Sequence, residues 1–159
     1  MTASTGDRLE SDIVRHVATT CLCLHAQRAA RALARMFDNA LRPLGLTNGQ
    51  FSLLMALNRP QPPTIGQLAP FLAMDRTSLT AALKPLERRG LVRIGVGEAD
   101  KRSRVVSITP EGVEVLRAAL PIWRETHARL DASLGEGAPD RLRADLRNLP
   151  DAARVASGS

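Results

Sequence analysis

The sequence predicts a mainly α-helical chain that carries one small β-hairpin. Apolar residues recur at three- and four-residue spacings along most of its 159 residues, the period of a helix with one buried face. Short polar signatures that start helices stand at Thr47-Asn48-Gly49-Gln50, Thr64-Ile65-Gly66-Gln67, Asp75 and Thr109-Pro110. Only two stretches, Leu91–Ile94 and Arg104–Ile108, read as strands, and the short loop between them makes them an antiparallel pair.

Each element follows in order. Residues 1 to about 8 are polar and read as a frayed start, unlike a signal peptide. From Leu9 to Leu41 there is no proline and no glycine, and Ile13, Val17, Cys21, Leu24, Leu33, Phe37 and Leu41 trace a helical stripe. One helix of that length is roughly 45 Å long. It outreaches a small headpiece and asks for a second subunit to pack against. The plainer alternative is a kinked helix, or two helices, folded within a monomer. Pro43 and Gly45 end it.

In the next helix the capping box pairs Thr47 with Gln50, and Phe51, Leu54, Met55 and Leu57 form the inner side. After the proline-rich loop 58–63, Thr64 and Gln67 repeat the box over a short helix containing Ile65, Leu68, Ala69 and Leu72. Asp75 caps the third, whose stripe is Leu79, Ala82, Leu83 and Leu86 and whose stop is Gly90. Pro85 near its end should bend or tighten the last turns. Three helices with such tight connections make a helix-turn-helix, and the hairpin after them makes it winged. Its wing is the loop Gly95 to Ser103.

Thr109 caps a further helix with Pro110 in its first position, and Val113, Leu116, Leu120, Trp123 and Leu130 supply the stripe. Pro121 should kink it. Gly135, Gly137 and Pro139 read as a turn, residues 140 to 149 as a last helix, and the tail from Pro150 as loose. The domain plan is then a dimerisation helix over 9–44, a winged helix-turn-helix over 46–108, and C-terminal helices over 109–150 that complete a helical dimerisation platform.

Charge points to the partner. The net charge is +6, and residues 75 to 104 alone hold eight basic groups against Asp75, Glu87, Glu98 and Asp100, a local balance of +4. A polyanion suits that concentration. Aromatic residues are 3% with no tyrosine, which argues against a surface that stacks single-stranded bases. In a docked helix-turn-helix the start of the third helix meets base edges. Arg76, Thr77, Ser78, Thr80 and Lys84 are therefore the candidates for base or phosphate contact in double-stranded DNA. Arg76 has the donors to read a guanine. In the wing, Arg102 suits the minor groove, with Lys101 and Arg104 beside it, and Asp100 is placed to hold the tip in shape. The plainer reading makes these capping or solvated surface residues.

These residues resemble the MarR family of bacterial winged-helix transcriptional regulators. LRPLGLTNGQFSLLMAL, TIGQLAPFLAMDRTSLTAALKPLERRGLV and DKRSRVVSITPEG carry the likeness, from about Leu41 to Gly112. The resemblance implies an obligate homodimer of triangular shape on a palindromic operator. It also implies repression, relieved by a small phenolic or other aromatic compound or by oxidation. Asp100 and Arg102 match the family's aspartate and wing-tip arginine, whereas Pro85 departs from its pattern.

For a signal, three readings stand. Cys21 and His25 share a helix face, with His127 as a distant third donor, but no dense ligand cluster supports a metal, so none is expected. Cys21 or Cys23 falls near the reactive cysteine of the family's peroxide sensors, though the tyrosines those use are missing. On a continuous helix the two thiols would lie roughly opposite each other, so an internal disulfide would distort it. Third, His25, Arg28, Met36, Trp123 and His127 could border a small-molecule pocket, with Arg28 facing an anionic ligand. Core or surface packing is the plain alternative for each.

No phosphate loop, nucleophile elbow or zinc-protease helix is present, so no enzyme and no cofactor is expected. No run of about 18 apolar residues predicts a membrane span, and a cytoplasmic location is the expectation. The competing class is a winged helix used only for protein contacts, which would want an apolar or acidic face in place of a basic one.

Overall fold

The structure, a computed structural model, describes residues 9–97 and 100–158. The first eight residues, expected to fray, and Glu98 in the wing lie outside the described residues. Two compact units divide between Met36 and Phe37, and each is taken by itself.

The first unit holds α1 (Ser11–Thr20) and most of α2 (Leu22–Leu41). The single helix expected over 9–41 is therefore two. Cys21 breaks it, with an extended ψ of 104°. The residues just before supply a physical reason. Thr19 and Thr20 turn their hydroxyls back onto the Arg15 and His16 carbonyls at 2.8–3.0 Å, bonds that compete with the helical ladder and loosen its end. No residue of α1 is buried, and Ile13, Val14 and Val17 are exposed.

The second unit begins in the last turn of α2. A 3-10 turn, Arg42–Leu44, closes on Gly45 in the left-handed region (φ 62°). Arg89 clamps this turn by donating to the carbonyls of Leu44 and Gly45. Then follow α3 (Asn48–Leu57), α4 (Ile65–Phe71), α5 (Arg76–Arg88), β1 (Val92–Val96), β2 (Arg104–Ile108), α6 (Pro110–Leu134) and α7 (Ala138–Ala156). Both capping boxes form in full, Thr47 with Gln50 and Thr64 with Gln67.

Leu41, Leu54, Leu68, Leu79, Leu83, Leu86 and Val106 are almost wholly shielded and form one core. Burying each such side chain contributes roughly 1.5–3 kcal/mol. Met55, expected on the inner side of α3, is instead exposed, while Leu53 and Ala56 are buried. The helix is apolar on more than one side, so spacing alone could not choose its buried face.

α5 runs through Pro85 to Arg88. Its end is tied by Gly90 (φ 71°), where the Leu91 amide donates to the Leu86 carbonyl at 2.9 Å, the Schellman pattern. β1 and β2 pair antiparallel, Val92 opposite Ile108 and Val96 opposite Arg104, so β1 starts and ends later than the expected 91–94. A further backbone bond, from the Val106 amide to the Pro63 carbonyl at 2.9 Å, ties β2 to the start of α4.

The joint to α6 is tight. The Thr109 hydroxyl donates to the Gly90 carbonyl at 2.7 Å and accepts from the Gly112 amide at 3.1 Å. A Cβ on Gly112 would stand 2.1 Å from the Leu91 carbonyl oxygen, so only glycine fits. α7 corrects a second expectation. Pro139 belongs to its first turn, and the helix continues past Pro150 to Ala156, where a loose tail was expected. Proline costs no bond in a first turn. At Pro150 the flanking arginines, alanines and leucines favour helix enough to carry it through. No helix among the described residues is long and apolar enough to cross a membrane.

Candidate nucleic-acid interface and an aromatic cavity

α5 presents its apolar stripe to the core and its polar face outward. Arg76, Thr77, Ser78 and Lys84 are exposed and Thr80 is half-buried. Asp75 caps the helix, accepting from the Ser78 amide at 2.8 Å and the Ser78 hydroxyl at 2.6 Å. Those bonds hold the Asp75 carboxyl below its ordinary pKa. The Thr80 hydroxyl donates to the Arg76 carbonyl at 2.7 Å. Two of the candidate hydroxyls thus carry local bonds, while that of Thr77 has none among the described residues. A shallow hollow on this face is lined by Arg76, Thr77, Thr80, Ala81 and Lys84.

The wing is shaped by Asp100. Its carboxylate accepts from the Arg102 amide at 2.9 Å, not from the guanidinium. Its carbonyl accepts from the Ser103 amide at 2.9 Å and the Ser103 hydroxyl at 2.7 Å. Gly97 lets the strands close here, because a Cβ would stand 2.2 Å from the Ser103 Oγ. Lys101, Arg102 and Arg104 are all exposed at the tip and its exit. Between wing and helix lies a hollow of about 450 Å³ to which Arg76, Thr80, Arg102 and Arg104 contribute. The fold therefore assembles the expected basic residues from two elements on one face.

A second concavity, about 700 Å³ and mostly apolar, opens between α3, α4 and α6. Phe51, Met55, Phe71, Leu120 and Trp123 line it, and Arg59 stands at its edge with its guanidinium 5.1 Å above the Phe71 ring. Phe71 is 66% exposed and Met55 42%. Of the residues expected at a pocket, Trp123 lines this one. His127 meets Trp123 edge-on, ring centroids 4.4 Å apart, and lies tilted against Phe37 at 4.6 Å. Burial lowers its pKa below the ordinary 6.5, a shift that Asp131 opposes and Arg143 reinforces. His25, Arg28 and Met36 belong to the first unit, where the His25 ring meets the Thr19 carbonyl at 3.2 Å. Cys21 is half-buried and Cys23 exposed, both as free thiols.

Sequence reasoning missed Arg59, Phe71 and Met55. One signal could have found the site. The chain has only three phenylalanines, one tryptophan and no tyrosine. Phe51, Phe71 and Trp123 all line this cavity, and Phe37 joins it through His127. Aromatic side chains that scarce are not spread at random when three line one cavity.

Comparison with known proteins agrees with the fold. The family model described as MarR family matches residues 46–103. The crystal structure of the M. tuberculosis transcriptional regulator MosR in complex with DNA is similar, with a TM-score of 0.77 and 40% identity, covering 86% of this chain and 98% of that one. The transcriptional activatory protein BadR of Rhodopseudomonas palustris is 35% identical over 91 residues, 55% of this chain and 52% of BadR. The organic hydroperoxide resistance transcriptional regulator of Bacillus subtilis is 28% identical over 101 residues, 64% of this chain and 69% of that protein. The chain thus spans between about half and two thirds of the length of these curated relatives.

Proposed function

The chain belongs to the MarR family, and from that premise we propose that it is a sequence-specific repressor. It binds a palindromic double-stranded operator as a homodimer and is released by a small aromatic, anionic ligand. Family membership places it among transcription factors and not among enzymes. The observation that carries the reading is the basic face. Arg76 and Lys84 on α5 and Arg102 and Arg104 on the wing stand exposed, and none has an ion pair among the described residues. A winged helix kept for protein contacts has no use for that unpaired charge, whereas α5 in a major groove and the wing in the adjacent minor groove would neutralise it. Thr77, Ser78 and Lys101 complete the proposed contact surface.

The ligand reading rests on the aromatic cavity. A flat ring stacks between Phe51, Phe71 and Trp123, and Arg59 takes the anionic group. His25, Arg28, Met36 and His127 stay in the proposal as residues whose substitution should be tested beside Arg59. BadR is by its name an activator, and the operator's position relative to the promoter decides the sign of regulation.

The test is to sequence the DNA that the protein retains from its own genome and measure operator affinity. Arg102→Ala should weaken operator binding roughly tenfold or more while the dimer persists. Unchanged affinity would remove the wing from the interface. Arg59→Ala should raise the concentration of aromatic carboxylate needed for release and leave ligand-free operator affinity unchanged.

A second reading, oxidation sensing, is favoured by the break at Cys21. The objection to a Cys21–Cys23 bond was a continuous helix, and the chain there is not one. A hydroperoxide would oxidise one thiolate to a sulfenic acid and leave as the alcohol. The other thiol would then displace water to form the disulfide. If peroxide still releases DNA from the protein carrying Cys21→Ser and Cys23→Ser, this reading is wrong.

A further inference from the structure

We propose that Arg76 is a phosphate ligand shared with the wing, not a base reader. The inference rests on the DNA-binding reading above and concerns how that interface divides its work.

Arg76, Arg102 and Arg104 line the same hollow, together with Thr64 and Gly66. None of the three guanidinium groups has a hydrogen bond or ion pair among the described residues. Asp100 also borders the hollow, but its carboxylate is engaged by the Arg102 amide. Three positive groups around one concavity repel each other, and an anion between them relieves that repulsion.

The guanidinium of Arg76 leans toward α4. A Cβ built on Gly66 would lie 3.4 Å from Arg76 Nη2 and 3.9 Å from its Cζ, ordinary contact distances that show how near the guanidinium lies to α4. The Thr64 hydroxyl lies 3.7 Å from the same point. Arg76 therefore reaches the α4 and wing side of α5, and it also borders the outer hollow together with Thr77 and Lys84.

Duplex geometry then selects the partner. One sugar–phosphate strand separates a major groove from the minor groove beside it. If α5 enters the first and the wing the second, whatever lies between them faces that strand. A phosphate has two unesterified oxygens and accepts from donors on separate elements at once, as this hollow requires. A base edge is flat and takes a single bidentate arginine. Base reading then falls to Thr77 and Lys84, whose polar groups carry no local bond.

The experiment compares the wild-type protein with Arg76→Ala and Lys84→Ala on operator and on scrambled duplex across a salt series. Arg76→Ala should weaken binding to both duplexes by the same factor, roughly tenfold. It should also reduce the slope of log affinity against log salt by about one. Lys84→Ala should change the ratio between the two duplexes. Loss by Arg76→Ala on the operator alone, with the salt slope intact, would make Arg76 a base reader and overturn the proposal. No duplex binding by the wild-type protein would instead overturn the regulator reading, and this inference with it.

Discussion

α5 and α7 are both amphipathic helices in the second unit, and they use their apolar faces in opposite ways. Leu79, Leu83 and Leu86 of α5 are wholly buried by the same chain. On α7, Leu142, Leu146 and Leu149 remain 45%, 49% and 36% exposed, and no residue is buried. α1 resembles α7 in this, with Ile13, Val14 and Val17 uncovered. A single copy therefore completes its headpiece and leaves its terminal helices unfinished. Leucines repeated along one face of a helix are covered in a stable protein, and in the proposed homodimer a second subunit would supply that cover.

The contrast can be broken at its strongest point first. Leu83→Ala should cost the headpiece about 3–5 kcal/mol, read by denaturant unfolding. A much smaller loss would mean that the core is looser than its burial implies. Next, Leu142→Glu combined with Leu146→Glu should yield a folded monomer in sedimentation and lower operator affinity roughly a hundredfold, with headpiece unfolding little changed. A persistent dimer would show that α7 is not the face used. Gly112→Ala tests the joint between the two regions and should destabilise by about 1–3 kcal/mol, because the clash is with backbone. The smallest effect is a pH dependence. The pKa of His127 lies below the ordinary 6.5, so the unfolded chain takes a proton more readily. Stability is complete above that ordinary value and declines as pH falls through the lowered one. Between pH 7 and 5.5 the wild-type Tm should drop by about 1–2 °C more than that of His127→Gln. Equal profiles would place the histidine in solvent.

What the sequence revealed divides along the same line. Thr47, Thr64, Asp75 and Thr109 announced their helices because a cap is a bond between neighbours. Arg102 and Asp100 were legible because the hairpin that bears them is local too. The break at Cys21 was not, since Thr19 and Thr20 are tolerated in helices and only their back-turned hydroxyls mark the spot. Pro150 misled because a missing amide was weighed against too little of the surrounding helix. The cavity escaped because α3, α4 and α6 each contribute a wall, and no stretch of sequence contains more than one of them. Met55 looked like core for the same reason.

The seam at Gly112 has a mechanical consequence. With no side chain between the start of α6 and the Leu91 carbonyl, and with Thr109 bonded across the gap, there is no compliant layer there to absorb displacement. α6, with 25 residues and a length of roughly 37 Å, behaves as the handle of a spanner whose jaw grips the end of α5. A ligand that shifts Trp123 or Leu120 along that handle would turn α5 instead of merely denting the wall it touches.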